Sequence, residues 1–309
     1  MPASRRLDHR ISDPRRAMEL RLLWWNAGIF SGRGLAAADS KRTTAMSILG
    51  ELIRSQQPDL IGLCEISVED VAALELVVTD LGYGVRSLHG QDGQVRFDMC
   101  VVYRIGRLRL AEEMIVHHVD RSRDKALRLG VGIVISFEAA KDELAVVLSH
   151  WPSRLRMHDG SHERVYLGSK LLEIVSALRL ERPVVLMGDY NDEPYSDSIF
   201  CHLGAVRDSS LALANGKIYN PFWKHLSGPW SHPFTGLPIR HGTLRYGSAG
   251  NQTWWLFDQI MFSHDLLTGD SWVLDESGVG VIPWSDMGDQ QNVAVFDHLP
   301  VIAQLNWSV

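Results

Sequence analysis

Apolar residues in this chain arrive in short bounded runs, and many of those runs end on a polar or charged residue. Segments at 19–25 (ELRLLWW), 59–64 (DLIGLC), 97–103 (FDMCVVY), 130–137 (GVGIVISF), 143–149 (ELAVVLS), 184–188 (VVLMG), 256–262 (LFDQIMF) and 299–306 (LPVIAQLN) have the length and the alternating or continuous apolar character of strands. Helical spacing appears between them. From Ser40, an N-cap residue type, Ala45, Ile48, Leu49, Leu52 and Ile53 line one face until Pro58 stops the segment. A second helix is predicted from Ser67 or Val68 to Leu81, closed by Gly82, and a third from about Ser161 to Leu180 with Leu171, Leu172, Val175 and Leu178 inward. Strands in hairpin-like pairs, interleaved with a few helices, predict two packed mixed sheets with helices outside rather than one regularly alternating parallel sheet. Residues 203–255 break this pattern. They are rich in Gly, Pro, His and aromatics (YNPFWKHLSGPWSHPFTG) and predict long ordered loops, which in a compact domain tend to carry function.

At 309 residues and 45% hydrophobic content the chain has room for one large core or two modest ones, and no linker divides it. Residues 1–18 are polar and arginine-rich, without an apolar stripe, and read as a mobile tail, which leaves 19–309 as one domain. The run LRLLWW is too short for a membrane span or an export signal, so a cytoplasmic protein is the default. Cys64, Cys100 and Cys201 lie far apart without CxxC spacing, as core residues of a reducing compartment do, and not as zinc ligands or disulfide partners. A formal charge of −6 excludes binding to polyanions through the overall field, so a phosphate-bearing substrate has to be held locally. Arginine-rich runs do exist, at 104–109, 121–128 and 154–156, although such runs are more often solvated loops or edge strands.

The polar residues that end the apolar runs carry the chemistry. In VVLMGDYN, Asp189 and Asn191 stand two apart, hence on one side of an extended segment, where an anion and a neutral amide can hold a water or metal beside a phosphate oxygen. Glu65 closes an otherwise apolar strand, a costly place for a carboxylate unless it binds a cation or sits at the open edge of the sheet. Asn26 follows LRLLWW, in a sequence that also suits a turn. Hard oxygen ligands of this kind suit magnesium or manganese better than zinc. Asp297-His298 precedes the last apolar run and Asp258 interrupts another, so an imidazole and a buried carboxylate are available for proton transfer near neutral pH. His150, at the end of ELAVVLS, reads alone as a structural histidine.

Taken in order, WN, CE, SHWPS, GDYN, FDQI and FDHLPV resemble the endonuclease/exonuclease/phosphatase superfamily over roughly residues 20–306. More narrowly, IYNPFW, HGTLRY and WWLFDQIMF look like a group of bacterial members with no single agreed activity. The resemblance implies a four-layer α/β/β/α sandwich, two packed mixed sheets flanked by helices, and a phosphoesterase dependent on Mg2+ or Mn2+. It implies Glu65 as principal metal ligand, with Asn26 beside it and Asp297 contributing directly or through water. It also implies Asp189 and Asn191 positioning the attacking water and the phosphoryl oxygen, Asp258 as partner of His298, and His150 facing the phosphate. The pattern departs from the family at Asp98, which is only roughly in register to be the partner of His150.

The function expected is hydrolysis of a phosphodiester, with nucleic acid as the first-choice substrate. Ser153, Arg154 and Arg156 would line the backbone-binding groove and exposed aromatics would stack bases. A phosphoesterase for a lipid headgroup, inositol phosphate or other small ester is the second reading, since Trp223, Trp230, Trp254 and Trp255 could close a pocket. A catalytically silent binding protein on the same fold is the third, and the presence of both the metal-binding acid and the histidine weighs against it.

Overall fold

The computed structural model describes residues 19–29, 35–121, 126–137, 140–227, 242–245, 254–269, 271–283 and 295–307. The predicted tail at 1–18 and Trp230 lie outside them. The principal strands are β1 (Glu19–Asn26), β2 (Leu60–Cys64), β3 (Tyr83–Ser87), β4 (Met99–Arg104), β5 (Leu127–Phe137), β6 (Ala140–His150), β7 (Val184–Asp189), β8 (Asp258–Ser263), β9 (Trp272–Val281) and β10 (Val301–Trp307). One sheet has the order β9-β10-β1-β2-β4-β3. The other runs from short strands at 205–206 and 218–219 through β8-β7-β6-β5 to 108–110, with 116–120 also on β5.

Both sheets are built the same way where it matters. Each holds a parallel pair, β1 with β2 and β6 with β7, and the neighbouring strands β10 and β8 run antiparallel to it. The C-terminal ends of the parallel strands and the start of β8 therefore fall on one edge. Asn26 pairs with Cys64, His150 with Asp189, and Asp189 with Asp258.

Period-two alternation sorts the strand residues into layers. Leu20, Leu22, Trp24, Leu60, Met99 and Val101 face Val131, Ile133, Val146, Leu148, Val185, Met187, Ile260 and Phe262 across the seam between the sheets. The opposite face of the first sheet (Leu23, Trp25, Ile61, Leu63) packs on α1 (Leu35–Gln56) and α2 (Val68–Thr79) through Ile48, Leu49, Leu52, Val71 and Leu74. Ala145, Val147, Val184 and Leu186 of the second sheet pack on α3 (His162–Leu178) through Leu167, Leu171 and Val175. The result is the α/β/β/α sandwich. Gly62 brings the layers close. A Cβ there would come within 2.7 Å of both the Trp24 ring and Leu148, so the bare backbone is what lets Trp24 lie flat over β2.

The helices hold as expected at their cores and differ at their ends. Ser67 caps α2 in a full capping box with Asp70, and Ser161 caps α3. Ser40 is no cap, because α1 starts at Leu35. Leu172 points outward, 37% exposed, since it lies about 100° round the helix from Leu171 and the face is completed instead by Leu167. The expected loop region 203–255 contains a helix at Ser209–Asn215 and the two short strands that extend the second sheet.

Candidate active site at the mouth of the sheet seam

Inner-face periodicity continues past the core into polar residues. Asn26 follows Trp24, His150 follows Leu148, Asp189 follows Met187, and Asp258 precedes Ile260, each by two. Four polar side chains from different strands are thereby delivered to the open end of the seam by the same alternation that fills it with hydrocarbon.

Asp258 and His298 form the closed part of the site. Asp258 is fully buried, and its two oxygens are both taken, one by Trp24 Nε1 at 3.0 Å and the other by His298 Nδ1 at 2.8 Å. Thr243 Oγ1 accepts the backbone N–H groups of Phe257 and Asp258, and its carbonyl accepts that of Leu299, so one buried threonine ties together the segments that carry the acid and the imidazole. Trp25 Nε1 donates to the His298 carbonyl at 3.2 Å. Burial alone would lower the His298 pKa, but the charges of Asp258 and Asp189, with the hydrogen bond to Asp258, raise it to about 10. The imidazole is therefore charged at neutral pH.

Asp189 lies between this corner and the rest. Its Oδ2 is 3.9 Å from His298 Nε2 and accepts Asn26 Nδ2 at 3.0 Å, while Oδ1 accepts the Asn191 N–H at 2.9 Å. Burial raises its pKa above that of a free carboxylate, opposed by His298. Asn191 adopts φ +51°, a left-handed conformation that asparagine tolerates, and its Nδ2 donates to the Trp151 carbonyl at 3.0 Å.

The Asn26 carboxamide is a bridge. Its Oδ1 accepts the Gly28 N–H at 3.0 Å, which fixes the orientation, and Nδ2 donates to both Glu65 (3.1 Å) and Asp189 (3.0 Å). Glu65, expected as the main metal ligand, sits just beyond β2 at φ +53°, strained for a glutamate by roughly 1–2 kcal/mol, with a side chain 37% exposed. Beside it His150 donates from Nδ1 to the Asp98 carboxylate at 3.1 Å, and its Nε2 lies 3.6 Å from Glu65 Oε1. Asp98 is thus placed as the partner of His150. Burial would raise its pKa, but the His150 hydrogen bond and charge, and Arg128, lower it to about 2.

Two sets of groups are candidates for a cation. Asp189, Asp258 and His298 offer atoms within 4.8 Å of one another. Both Asp258 oxygens and His298 Nδ1 are already bonded to protein, so this cluster suits proton handling better than metal binding. The other set surrounds Gly28, whose φ is +52° and whose missing side chain lets polar groups approach the backbone. A Cβ there would lie 3.8 Å from Glu65 Oε2, 3.9 Å from Asp297 Oδ1 and 3.3 Å from Lys41 Nζ. Asp297 is exposed. Two accessible carboxylates from distant segments, converging where a side chain is absent, are the donor set a hard divalent cation takes. The residues present fit such an ion here.

The residues expected to bind substrate are arranged differently. Arg154 is held by protein partners. Its guanidinium donates to the Asn191 carbonyl (3.0 Å), Asp192 (3.2 Å) and Ser196 (3.3 Å), pairs with Asp159 (3.3 Å), and stacks on Trp255 and Phe257 at 5.0 and 4.8 Å. It braces Asn191, and most of its five N–H donors are committed to protein partners. The carbonyl of half-buried Ser153 turns the loop by accepting from Arg156 and Met157, and Arg156 is exposed. Beneath this loop lies buried Arg164, which donates to the carbonyls of Pro152, Met157 and Tyr190 and pairs with Asp192 at 3.3 Å.

Trp24, Thr243, Gly28 and Lys41 belong to the site and were not singled out by sequence reasoning. Trp24 was detectable, being two residues before Asn26 and so on the same face. Thr243 lies in HGTLRY, a motif legible only as a family mark. Lys41 carried no signal.

The Endonuclease/Exonuclease/phosphatase family model matches residues 38–278. A search of curated proteins finds no match. Among solved structures, the catalytic domain of human Nocturnin with bound sulfate is similar at TM-score 0.60 and 13% identity, covering 94% of this chain and 95% of that one. TDP2 of D. rerio, complexed with a single-strand DNA product, is similar at TM-score 0.61 and 16% identity, covering 93% and 99%. ANGEL2, a 2',3'-cyclic phosphatase complexed with adenosine-2',3'-vanadate, is similar at TM-score 0.58 and 13% identity, covering 94% and 96%.

Proposed function

The chain belongs to the endonuclease/exonuclease/phosphatase family and is a phosphate ester hydrolase; from that premise we propose that it cleaves phosphodiesters with the help of a divalent cation, and that its substrate is a nucleic acid. The observation that carries the reading is the convergence of Glu65, Asp297, Asn26, Asp189 and His298 on one cleft mouth, with an open pair of carboxylates beside a closed acid–imidazole pair. That similar folds hold a DNA product in TDP2 and an adenosine vanadate in ANGEL2 supports the choice of nucleic acid. Three unpaired cysteines suit a cytoplasmic setting, and no described helix is long and apolar enough to cross a membrane. We read 19–309 as the catalytic domain.

Glu65 and Asp297 would hold Mg2+ or Mn2+, with Asn26 bridging Glu65 to Asp189 beside them. When bound, the ion supplies Lewis-acid stabilisation of charge on the phosphoryl oxygens. Asp189, made more basic by burial and held by Asn26 and the Asn191 N–H, orients the attacking water and takes its proton. His298 enters the reaction charged, so it acts as a hydrogen-bond donor to a phosphoryl oxygen through Nε2, while Asp258 fixes Nδ1. His150, oriented by Asp98, presents Nε2 to the same cleft.

The commitment of Arg154 to Asn191, Asp192 and Asp159 favours one competing reading, a small phosphate ester that needs no extended basic groove. Turnover of plasmid, single-stranded DNA, RNA, inositol phosphates, a sphingomyelin analogue and bis-p-nitrophenyl phosphate, with Mn2+ and then with EDTA, separates the two. Metal-dependent cleavage of polynucleotide is the expected outcome. Cleavage of small esters alone would establish the second reading, and none of either would refute both.

A further inference from the structure

Arg154 is held by Asp192 and Asp159, but a second cation stands beside the candidate metal ligands. Lys41 projects from α1 so that its ammonium passes over the Phe296 ring at 5.3 Å, and Phe296 is itself buried edge-on against Trp25 at 5.4 Å. This aromatic ledge holds the lysine stem on the side of Gly28 that Glu65 Oε2 and Asp297 Oδ1 also face. Yet among the described residues the ammonium closes no ion pair with either acid, whereas its neighbour Arg42 is bonded to Asp70 and Asp39. Arg128 pairs with Asp98, and Arg154 with Asp192 and Asp159.

We propose that Lys41 is a phosphate-binding residue, whose ammonium receives a non-bridging oxygen of the scissile phosphate next to the divalent cation. The inference rests on the cation reading given above. An ammonium and a divalent ion placed beside one glycine repel each other, and a single anion between them turns that repulsion into two attractions. A phosphate oxygen is the anion this site is built to receive, and the point charge of a lysine on a flexible stem follows it as charge develops. Phe296 limits the positions the stem can adopt, so less is lost on ordering it.

Calorimetry on wild type, Lys41→Met and Lys41→Arg, with thermal melting to verify folding, tests this. Wild type should bind Mn2+, and the Mn2+-loaded protein should bind inorganic phosphate. In Lys41→Met, phosphate binding should weaken about tenfold or more and kcat/KM for bis-p-nitrophenyl phosphate should fall about 10- to 100-fold, as loss of a charged hydrogen bond does. Mn2+ binding should be unchanged or tighter, since a like charge has been removed, and Lys41→Arg should retain part of the phosphate affinity. Unchanged phosphate binding in a folded Lys41→Met protein overturns the proposal. So does a parallel loss of Mn2+ affinity, which would make Lys41 a support for the acids. A wild type that neither binds Mn2+ nor hydrolyses the ester contradicts the cation reading itself, and the proposal falls with it.

Discussion

The two sides of this cleft hold the same kinds of residue in opposite states. Around Asp258, both carboxylate oxygens have found a protein donor: Trp24 and His298 take them, and Thr243 accepts the backbone N–H, at a carboxylate that is 0% exposed. Around Gly28, Glu65 and Asp297 are open to solvent, backed by a strained backbone at Glu65 and by one bridging amide. A buried acid that is fully bonded has been given its cation, the His298 imidazolium. More accessible acids that converge beside an ammonium forming no ion pair with either leave room for a cation from outside. Burial and partner count, more than residue type, divide the labour between proton handling and metal binding.

That division can be broken from either side. The largest effect belongs to the closed side: Asp189→Asn or His298→Ala should lower turnover by about 100- to 10,000-fold in a folded protein that still binds Mn2+, and no excess of metal should restore it. On the open side, Glu65→Gln should reduce turnover about 100-fold at limiting Mn2+ and recover in part when Mn2+ is raised, because what it loses is occupancy. Steady-state kinetics across a metal titration distinguish the two behaviours, and identical responses would erase the comparison.

A smaller effect is expected at Thr243. Thr243→Val leaves two buried N–H groups without their acceptor and should cost about 1–3 kcal/mol in urea denaturation, with Mn2+ affinity unchanged. The smallest is at Asp98, which stands behind His150. Its carboxyl is held at about 2 in the folded chain against 3.8, so its contribution to stability is complete above the ordinary value and is lost as pH falls through about 2. Asp98→Asn should remove about 1–2 kcal/mol at neutral pH, discounted for its partial exposure, and flatten the acid limb of the stability curve between about pH 4 and pH 2.

How much of this the sequence announced depends on the range of the signal. The apolar runs marked the central strands because both sheet faces are covered, so β1, β2, β6 and β7 read as nearly continuous hydrocarbon. β9 escaped notice since WVLDESGVGV lies at the sheet edge, carries a register shift against β10 and buries few of its residues. At the site, the acids and histidines at run ends were visible as chemistry. Asn26 is placed as a bridge and Arg154 as a brace because their partners, Asp189 at 163 residues' separation and Asp192 at 38, are chosen by tertiary packing. Lys41 was invisible for the same reason. A lysine in the first turns of a helix reads as surface until Phe296, far along the chain, is laid beneath it.

The central claim is that the open acids at Gly28, and not the bonded ones at Asp258, hold the cation. Anomalous diffraction from a crystal soaked in Mn2+ tests it most directly. A manganese peak is expected in contact with Glu65 and Asp297, with the Asp258–His298 hydrogen bond intact. A peak enclosed by Asp189, Asp258 and His298, with that hydrogen bond broken, would contradict it.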